Sequence, residues 1–182
     1  ATFNVTNAVQ LQVALTVSSS NGEDDTIYVA AGVHNVASTL TYQTEDGDSG
    51  HNLNIIGAGA DETILDGGNA LKILHITTDI SVDGGDAGAG IIITGIKFQN
   101  GYNSTNDGGG ISIYTYDAPI SLESLDFENN STDHNGGIYV LSAAGPVTVT
   151  GCRFLGNSAP SGDGGGAFVG SEIGDVTLRN NT

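Results

Sequence analysis

Basic side chains are the scarcest feature of this 182-residue sequence. Four Lys and Arg stand against 21 Asp and Glu, so the formal net charge is −17. Such a chain repels phosphate backbones and anionic headgroups, which excludes nucleic acid and acidic membrane surfaces as expected partners. Divalent cations and basic surfaces remain compatible with this charge.

Cysteine and long apolar runs are almost absent as well. One cysteine, Cys152, excludes an internal disulfide, and the chain has no run of 18 apolar residues that would predict a transmembrane segment. The sequence begins at Ala1 instead of a methionine, so we interpret it as a mature secreted form or an excised fragment. Few lysines and many asparagines and glycines favour an extracellular or cell-surface location.

Glycine, in contrast, is abundant, with 28 residues among 182, about twice its average usage. Together with many Asp, Asn, Ser and Thr residues, it favours short strands and tight turns. It disfavours helices, because Gly and Asn are poor helix formers.

Residues 6–18 are the one segment where a helix competes with a strand. Their apolar residues alternate as a strand requires, but Thr6 or Asn7 would cap a helix that has Leu11 and Leu15 on its inner face. We favour a short helix that covers the first coil of the fold, because an open coil edge would otherwise pair with other chains.

The second half of the chain repeats itself at intervals of 29, 27 and 29 residues. Each unit has two alternating apolar residues, a small residue at the bend and two more apolar residues, as in Ile91, Ile93, Gly95, Ile96 and Phe98. A second track, in which glycine precedes an apolar alternation, recurs with it at 110–113, 137–140 and 166–169. A fixed period of this length indicates stacked units.

About three short strands per unit correspond to one coil of a parallel β-solenoid, with coils stacked about 4.8 Å apart. We therefore predict one all-β domain over residues 1–182, with coils of 27–29 residues. Thr182 aligns with Lys97, Asp126 and Arg153, so we expect the last coil to be incomplete and open. Further coils or a neighbouring molecule would complete it.

Two motifs of these repeats resemble a known family. The segments 127–130 and 154–157 fit an FxxN pattern, and 108–111, 136–138 and 164–167 resemble its GGAI partner. Together they are similar to the repeats of polymorphic outer-membrane proteins and related right-handed parallel β-helix surface proteins. The resemblance implies a right-handed β-helix, secretion, surface display and adhesion. Gly101 departs from the pattern, because it stands where the motif has Asn.

The first coils resemble a second group. Residues 25–32, 56–59 and 63–67, which read DTIYVAAG, IGAG and TILDG, are similar to the opening of pectin-lyase-like domains. This likeness implies the same β-helix fold and raises the question of activity on polysaccharides.

The repeat also predicts side chains that stack from coil to coil. Phe98, Phe127 and Phe154 should form an inward ladder, and Asn130 and Asn157 a ladder at a corner, where amides hydrogen-bond along the stack. On the outer side, Lys97, Asp126 and Arg153 share one position and should form a ladder of alternating charge.

A cation site is the main metal hypothesis. Asp107, His134 and Asp163 precede the glycine track by the same three residues, and carboxylates with backbone carbonyls suit Ca²⁺. Asp107 and Asp163 are therefore candidate Ca²⁺ ligands, with solvated turn residues as the favoured alternative. The sequence predicts no other cofactor.

Catalytic patterns are missing where a polysaccharide-degrading enzyme of this fold would need them. The adjacent pair Asp24-Asp25 precedes a strand of the first coil and is not flanked as in those enzymes, and no His stands between glycines. We therefore expect no catalytic residues and no enzymatic activity. Tyr102, Tyr114, Tyr116 and Tyr139 are candidates for a sugar-binding face.

The sequence therefore predicts a secreted or cell-surface structural and adhesive β-helix protein. Its open end suggests head-to-tail self-assembly into extracellular filaments, because heterologous contacts propagate. A surface glycan is the other expected partner. The alternative is a carbohydrate-active protein, either a polysaccharide lyase or glycosidase-like enzyme or a carbohydrate-binding module.

Overall fold

The computed structural model describes residues 1–44, 50–78, 90–104, 108–134, 136–161 and 165–182. Over these residues the protein is an all-β parallel solenoid of about five turns, with one short helix near the N-terminus. The fold class predicted from the repeat is therefore confirmed.

The elements follow one another coil by coil. Strand β1 (Thr2–Val5) and helix α1 (Ala8–Ser18) precede the first coil. The coils contain, in order, β2 (Asp25–Val29), β3 (Gly32–Asn35) and β4 (Leu40–Gln43); β5 (Leu53–Gly57), β6 (Thr63–Asp66) and β7 (Leu74–Thr77); β8 (Ile91–Thr94), β9 (Lys97–Gln99), β10 (Tyr102–Asn103) and β11 (Ile111–Thr115); β12 (Ile120–Glu123), β13 (Asp126–Glu128), β14 (Ser131–Thr132) and β15 (Ile138–Ser142); and β16 (Val147–Thr150), β17 (Arg153–Leu155) and β18 (Ala167–Ser171), after which β19 (Val176–Arg179) follows.

Three parallel sheets form the walls of the solenoid. Sheet A has the order β1-β2-β5-β8-β12-β16-β19, sheet B the order β3-β6-β9-β13-β17, and sheet C the order β4-β7-β11-β15-β18. Strands β10 and β14 form a further two-stranded sheet between sheets B and C along the chain. Sheet C is the strand set that the glycine track predicts, whereas the β10–β14 pair was not foreseen.

The bend between sheets A and B is made by a residue with positive φ. This is the position that the sequence pattern marks as small, and it is occupied by Gly95 (φ 67°), Ser124 (φ 52°), Gly151 (φ 64°) and Asn180 (φ 53°). Glycine adopts this conformation without steric cost and asparagine tolerates it. A left-handed residue at this bend thus redirects the chain while the apolar face stays inward. Asn100, Asn129 and Gly156 supply a second left-handed residue in the same coils, at the bend that follows sheet B.

The core consists of apolar rows that run along the solenoid. In sheet A one row places Ile27, Ile55, Ile93, Leu122 and Val149 in register on successive coils, and all five are buried. Burying each such side chain contributes about 1.5–3 kcal/mol before the entropy cost of ordering it. The interior is therefore built by contacts between coils.

An aromatic stack continues this core along sheet B. The rings of Phe98 and Phe127 are 5.4 Å apart with planes at 10°, and those of Phe127 and Phe154 are 5.2 Å apart at 13°. Phe98 and Phe127 are fully buried, while Phe154 is half-buried on the last coil. The ladder that the repeat predicts is thus an inward ring stack.

At the corner after sheet B, asparagine side chains link three coils. The Asn130 amide donates to the Phe98 carbonyl (2.9 Å), and its Oδ1 accepts from the Gly101 N–H (2.8 Å). Asn157 repeats the contact one coil further, donating to the Phe127 carbonyl (2.9 Å) and accepting from the Asn130 N–H (2.9 Å). Because Asn130 is fully buried, these bonds satisfy groups that water cannot reach.

The absence of asparagine at position 101 has a steric reason. A Cβ on Gly101 would lie 2.1 Å from the Gly109 carbonyl oxygen and 2.8 Å from Asn130 Oδ1. Only glycine lets the backbone approach this closely. Its departure from the FxxN pattern therefore supports the asparagine ladder of the next coil.

Helix α1 covers the open end of the first coil. Asn7 is its N-cap, with its side chain accepting from the Gln10 N–H at 2.9 Å, and Leu11 and Leu15 are buried against the coil. The helix favoured by the sequence is thus confirmed. Strand β1, which extends sheet A by one rung beside the helix, has no signature in the sequence pattern.

We expect Gly101→Ala to lower the free energy of unfolding by about 2–3 kcal/mol, because its methyl group would meet backbone atoms that cannot move independently. Denaturant unfolding measures the change. Gly166→Ala is the matched control, since a Cβ there meets only Phe154 Cβ at 3.8 Å. Equal stability losses in the two variants would contradict this account of the corner.

Candidate functional site

A groove lies on the outside of sheet C. It has a volume of about 550 Å³, and its lining residues come from three successive coils and the segments that enter sheet C. They are Thr39, Ala70, Leu71, Lys72, His75, Tyr102, Asn103, Ser104, Ser112 and Tyr139. We call this feature the sheet C groove.

The floor of the sheet C groove is one outward row of the sheet. His75 of β7, Ser112 of β11 and Tyr139 of β15 are partners in the parallel register, so their side chains follow each other at the strand spacing of about 4.8 Å. Phe168 of β18 continues the row beyond the groove. Strand alternation turns these side chains outward while their neighbours enter the core.

Aromatic rings give the sheet C groove its flat apolar surfaces. The Tyr139 ring is stacked on Phe168, with centroids 5.0 Å apart and planes at 12°. Tyr102 of β10 lies on the groove wall and is partly exposed. Of the four tyrosines predicted to form a sugar-binding face, Tyr102 and Tyr139 line the groove, whereas Tyr114 and Tyr116 are absent from its lining.

The polar groups of the sheet C groove are hydroxyls, an amide, one imidazole and one ammonium. Burial lowers the pKa of His75, and the nearby Lys72 ammonium lowers it further. A hydrogen bond with the Ser112 backbone raises the pKa but does not reverse the shift. His75 Nε2 lies 3.1 Å from Thr77 Oγ1. At neutral pH the imidazole is therefore uncharged.

Carboxylates are missing from the described lining of the sheet C groove. Glycoside hydrolysis in most families uses two carboxyl groups on either side of the bond that is cleaved. The described lining therefore offers groups that could bind a ligand but not the two carboxyl groups that such hydrolysis uses. The expected lack of enzymatic activity stays a prediction.

The candidate Ca²⁺ ligands Asp107 and Asp163 lie outside the described residues. The remaining member of that set, His134, follows β14 at the corner. In the described parts of the chain, no group of three or more His, Cys, Asp or Glu side chains is arranged to hold a metal ion. The Ca²⁺ hypothesis therefore stays a prediction.

The charge ladder predicted on sheet B forms only in part. Arg153 and Asp126 pair at 2.5 Å between neighbouring coils. Lys97 is the register partner of Asp126, but its Nζ pairs instead with Glu128 Oε2 at 3.4 Å. These pairs lie on the outer surface, where such interactions contribute about 0–1 kcal/mol.

Cys152 is free and buried on the inward row, as its apolar position in the repeat predicts. Burial raises the pKa of its thiol, and backbone hydrogen bonds oppose that shift. The thiol is therefore protonated and shielded, which makes it a packing residue.

Sequence reasoning identified the tyrosines of the groove but missed Lys72, His75, Asn103 and Ser112. Ser112 could have been found, because it holds the same place after the glycine track as Tyr139. His75 carries no such signal, since the coil between β5 and β8 is longer than the others and breaks the period.

Comparison of the chain with protein-family models, with curated proteins and with solved structures finds no match. The likeness to polymorphic outer-membrane and pectin-lyase-like proteins therefore depends on the motifs alone, and the structure shows the β-helix fold that those motifs imply. Within the described chain, no helix combines the length and the apolar content needed to span a bilayer.

The lowered pKa of His75 predicts a pH effect on stability. Because the unfolded imidazole titrates near about 6.5, the unfolded chain binds more protons than the folded chain below that pH. The free energy of unfolding should therefore fall as the pH drops below this value. We expect His75→Gln to reduce the fall between about pH 7 and 5, measured by denaturant unfolding at each pH. Superimposable pH profiles for the two proteins would contradict this account of the groove.

Proposed function

We propose that this protein is an extracellular or cell-surface structural and adhesive β-helix that binds a neutral carbohydrate chain in the sheet C groove. The observation that carries the proposal is the combination of Tyr102 and Tyr139 with hydroxyl, amide and imidazole groups in one groove. Sugar rings present apolar faces and hydroxyl edges, so they match flat aromatic surfaces surrounded by uncharged hydrogen-bonding groups.

The solenoid gives this site its shape. Since β7, β11 and β15 are rungs of one sheet, the groove runs across successive coils, and the stacked Tyr139 and Phe168 extend its aromatic surface to the fifth coil. The row from Thr41 of β4 to Phe168 of β18 covers four strand spacings, or about 19 Å. An extended polymer suits such a surface better than a compact ligand does.

Charge favours a neutral sugar over an acidic one. The formal net charge of −17 repels polyanions at long range. Lys72 is the charged side chain among the described lining residues, and it lies beside the neutral His75. We therefore assign specificity to stacking and hydrogen bonding.

The alternative, a polysaccharide-cleaving enzyme, has less support. Its motivation is the likeness of the first coils to pectin-lyase-like domains. The described groove lining has no carboxylate to act as a general acid or base. Release of soluble sugar fragments from a polysaccharide incubated with the protein would favour the enzyme.

Binding of the protein to immobilised neutral and acidic polysaccharides tests the proposal. We expect binding to neutral polymers, and we expect Tyr139→Ala to weaken it about tenfold, the equivalent of about 1.4 kcal/mol of lost stacking. Tyr28→Ala is the matched control, because Tyr28 is 46% exposed on sheet A, away from the groove. Equal losses for the two variants, or binding confined to acidic polymers, would contradict the proposal.

A further inference from the structure

The outward row on the floor of the sheet C groove has a small member between two rings. From the first coil to the fifth, the row reads Thr41, His75, Ser112, Tyr139 and Phe168. Histidine, tyrosine and phenylalanine carry flat rings, whereas the serine side chain ends at its hydroxyl, where those rings only begin. The row of rings on the second, fourth and fifth coils is therefore interrupted at the third.

The contact between Tyr139 and Phe168 shows how the rings of this row are oriented. Their centroids are 5.0 Å apart, close to one strand spacing, and their planes differ by 12°. Rings this close and this nearly parallel lie face to face, since coplanar rings would overlap. One face of Tyr139 therefore covers Phe168, and its other face is turned towards the third coil, where Ser112 lies.

On the other side of Ser112, the His75 side chain is held over its own strand. Its Nε2 lies 3.1 Å from Oγ1 of Thr77, which is the next outward residue of β7. The imidazole is thus drawn along β7 and not across to β11. Because its lowered pKa leaves it uncharged at neutral pH, a ligand ring covers it without burying a charge.

The interval between these two rings has the width of one further ring. His75 and Tyr139 stand two strand spacings apart, so a flat ring placed midway lies about 4.8 Å from each. Aromatic rings stack at centroid distances of about 4.5–7 Å, and the phenylalanine ladder of the core stacks its rings at 5.4 and 5.2 Å. The space above Ser112 therefore has room for one rung of a ring stack. We call it the Ser112 slot.

Hydrogen-bonding groups complete the Ser112 slot. Ser112 supplies a hydroxyl at the bottom and is only 6% exposed between the longer side chains of its neighbours. Asn103 and Ser104 line the same groove beside Tyr102, which is 37% exposed. The groove volume of about 550 Å³ falls in the range of about 300–1,000 Å³ that is typical of small-molecule sites. The slot thus combines two flat sides with a polar floor and a polar wall.

A sugar ring has the shape and the chemistry that this slot requires. Its faces present C–H groups and its edges present hydroxyls, so the faces suit the Tyr139 and His75 rings and one edge suits the Ser112 hydroxyl. A ring placed in this way has one edge against the floor, and its opposite edge faces out of the groove. Its link to the rest of the carbohydrate must therefore leave from that outer edge.

This geometry separates two kinds of sugar residue. An internal residue whose two links leave from opposite edges would push one of them into Ser112. A terminal residue, at a chain end or as a single-sugar branch, has one link and fits. The Ser112 slot therefore selects terminal rings, while the remainder of the chain continues along the groove past Tyr102.

We infer that the Ser112 slot binds a terminal sugar ring, which is sandwiched between Tyr139 and His75 and hydrogen-bonded to Ser112. This inference rests on the proposed function, since it assigns the part of the neutral carbohydrate that the groove recognises.

Filling the Ser112 slot from the protein side tests the inference. Ser112→Phe adds the missing ring, so we expect binding to immobilised galactomannan and other neutral polysaccharides to weaken about a hundredfold, because both stacking contacts are lost. The free energy of unfolding should not fall below that of the wild type, as the new ring packs on Tyr139. Ser121→Phe is the matched control on the outer side of sheet A, where Ser121 lies between Ile92 and Thr148, and it should bind like the wild type.

The wild-type protein gives a second test, which does not depend on the folding of a variant. Galactomannan is a neutral chain with single-galactose branches that α-galactosidase removes, whereas linear mannose oligosaccharides offer chain ends alone. Loss of binding after trimming identifies a branch as the terminal ring. An affinity that stays equal from mannotriose to mannohexaose identifies a chain end.

Two results would overturn the inference and leave the proposed function standing. One is unchanged binding by Ser112→Phe in an assay where Tyr139→Ala weakens it. The other is an affinity for linear chains that rises with each added sugar, as expected for internal residues lying along the groove. A wild-type protein that binds no neutral polysaccharide would overturn the proposed function and the slot together.

Discussion

Stacking of apolar side chains between coils is the interaction on which the rest of this structure depends. A single coil consists of strands of two to five residues and encloses no interior of its own. Only when Ile93, Leu122 and Val149 lie in register on successive rungs does the solenoid gain a core. That requirement fixes the coil length and is met by left-handed residues at two bends of each coil from the third to the fifth. It leaves the outward positions free to vary. The buried Asn130 amide satisfies backbone groups that stacking removes from water.

Much of this architecture could be predicted from the repeat. Stacking equivalent apolar side chains on successive coils requires them to recur at nearly equal intervals along the sequence. Residues 91–182 carry this signal, and the bend at Ser124 and the stack of Phe98, Phe127 and Phe154 follow from it. The groove was harder to foresee. Tyr139 occupies a repeating position, but His75 lies in the long coil that breaks the period. Strand β1 has four residues and no repeating partner, so nothing in its composition distinguishes it from a loop.

The inward and outward positions of the solenoid serve different purposes. Inward positions build the core, whereas outward positions on sheet C form a groove of aromatic and polar groups in which Lys72 is the charged side chain among the described lining residues. Such a groove suits recognition of a neutral polymer.

Nuclear Overhauser effects between methyl groups test the stacking most directly, because they report which side chains lie on neighbouring rungs. The account predicts strong effects between Ile93 and Leu122 and between Leu122 and Val149, one strand spacing of about 4.8 Å apart. It predicts none between Ile93 and Val149, which are separated by two spacings, or about 10 Å. Absence of the two neighbouring effects, or a direct effect between Ile93 and Val149, would contradict it.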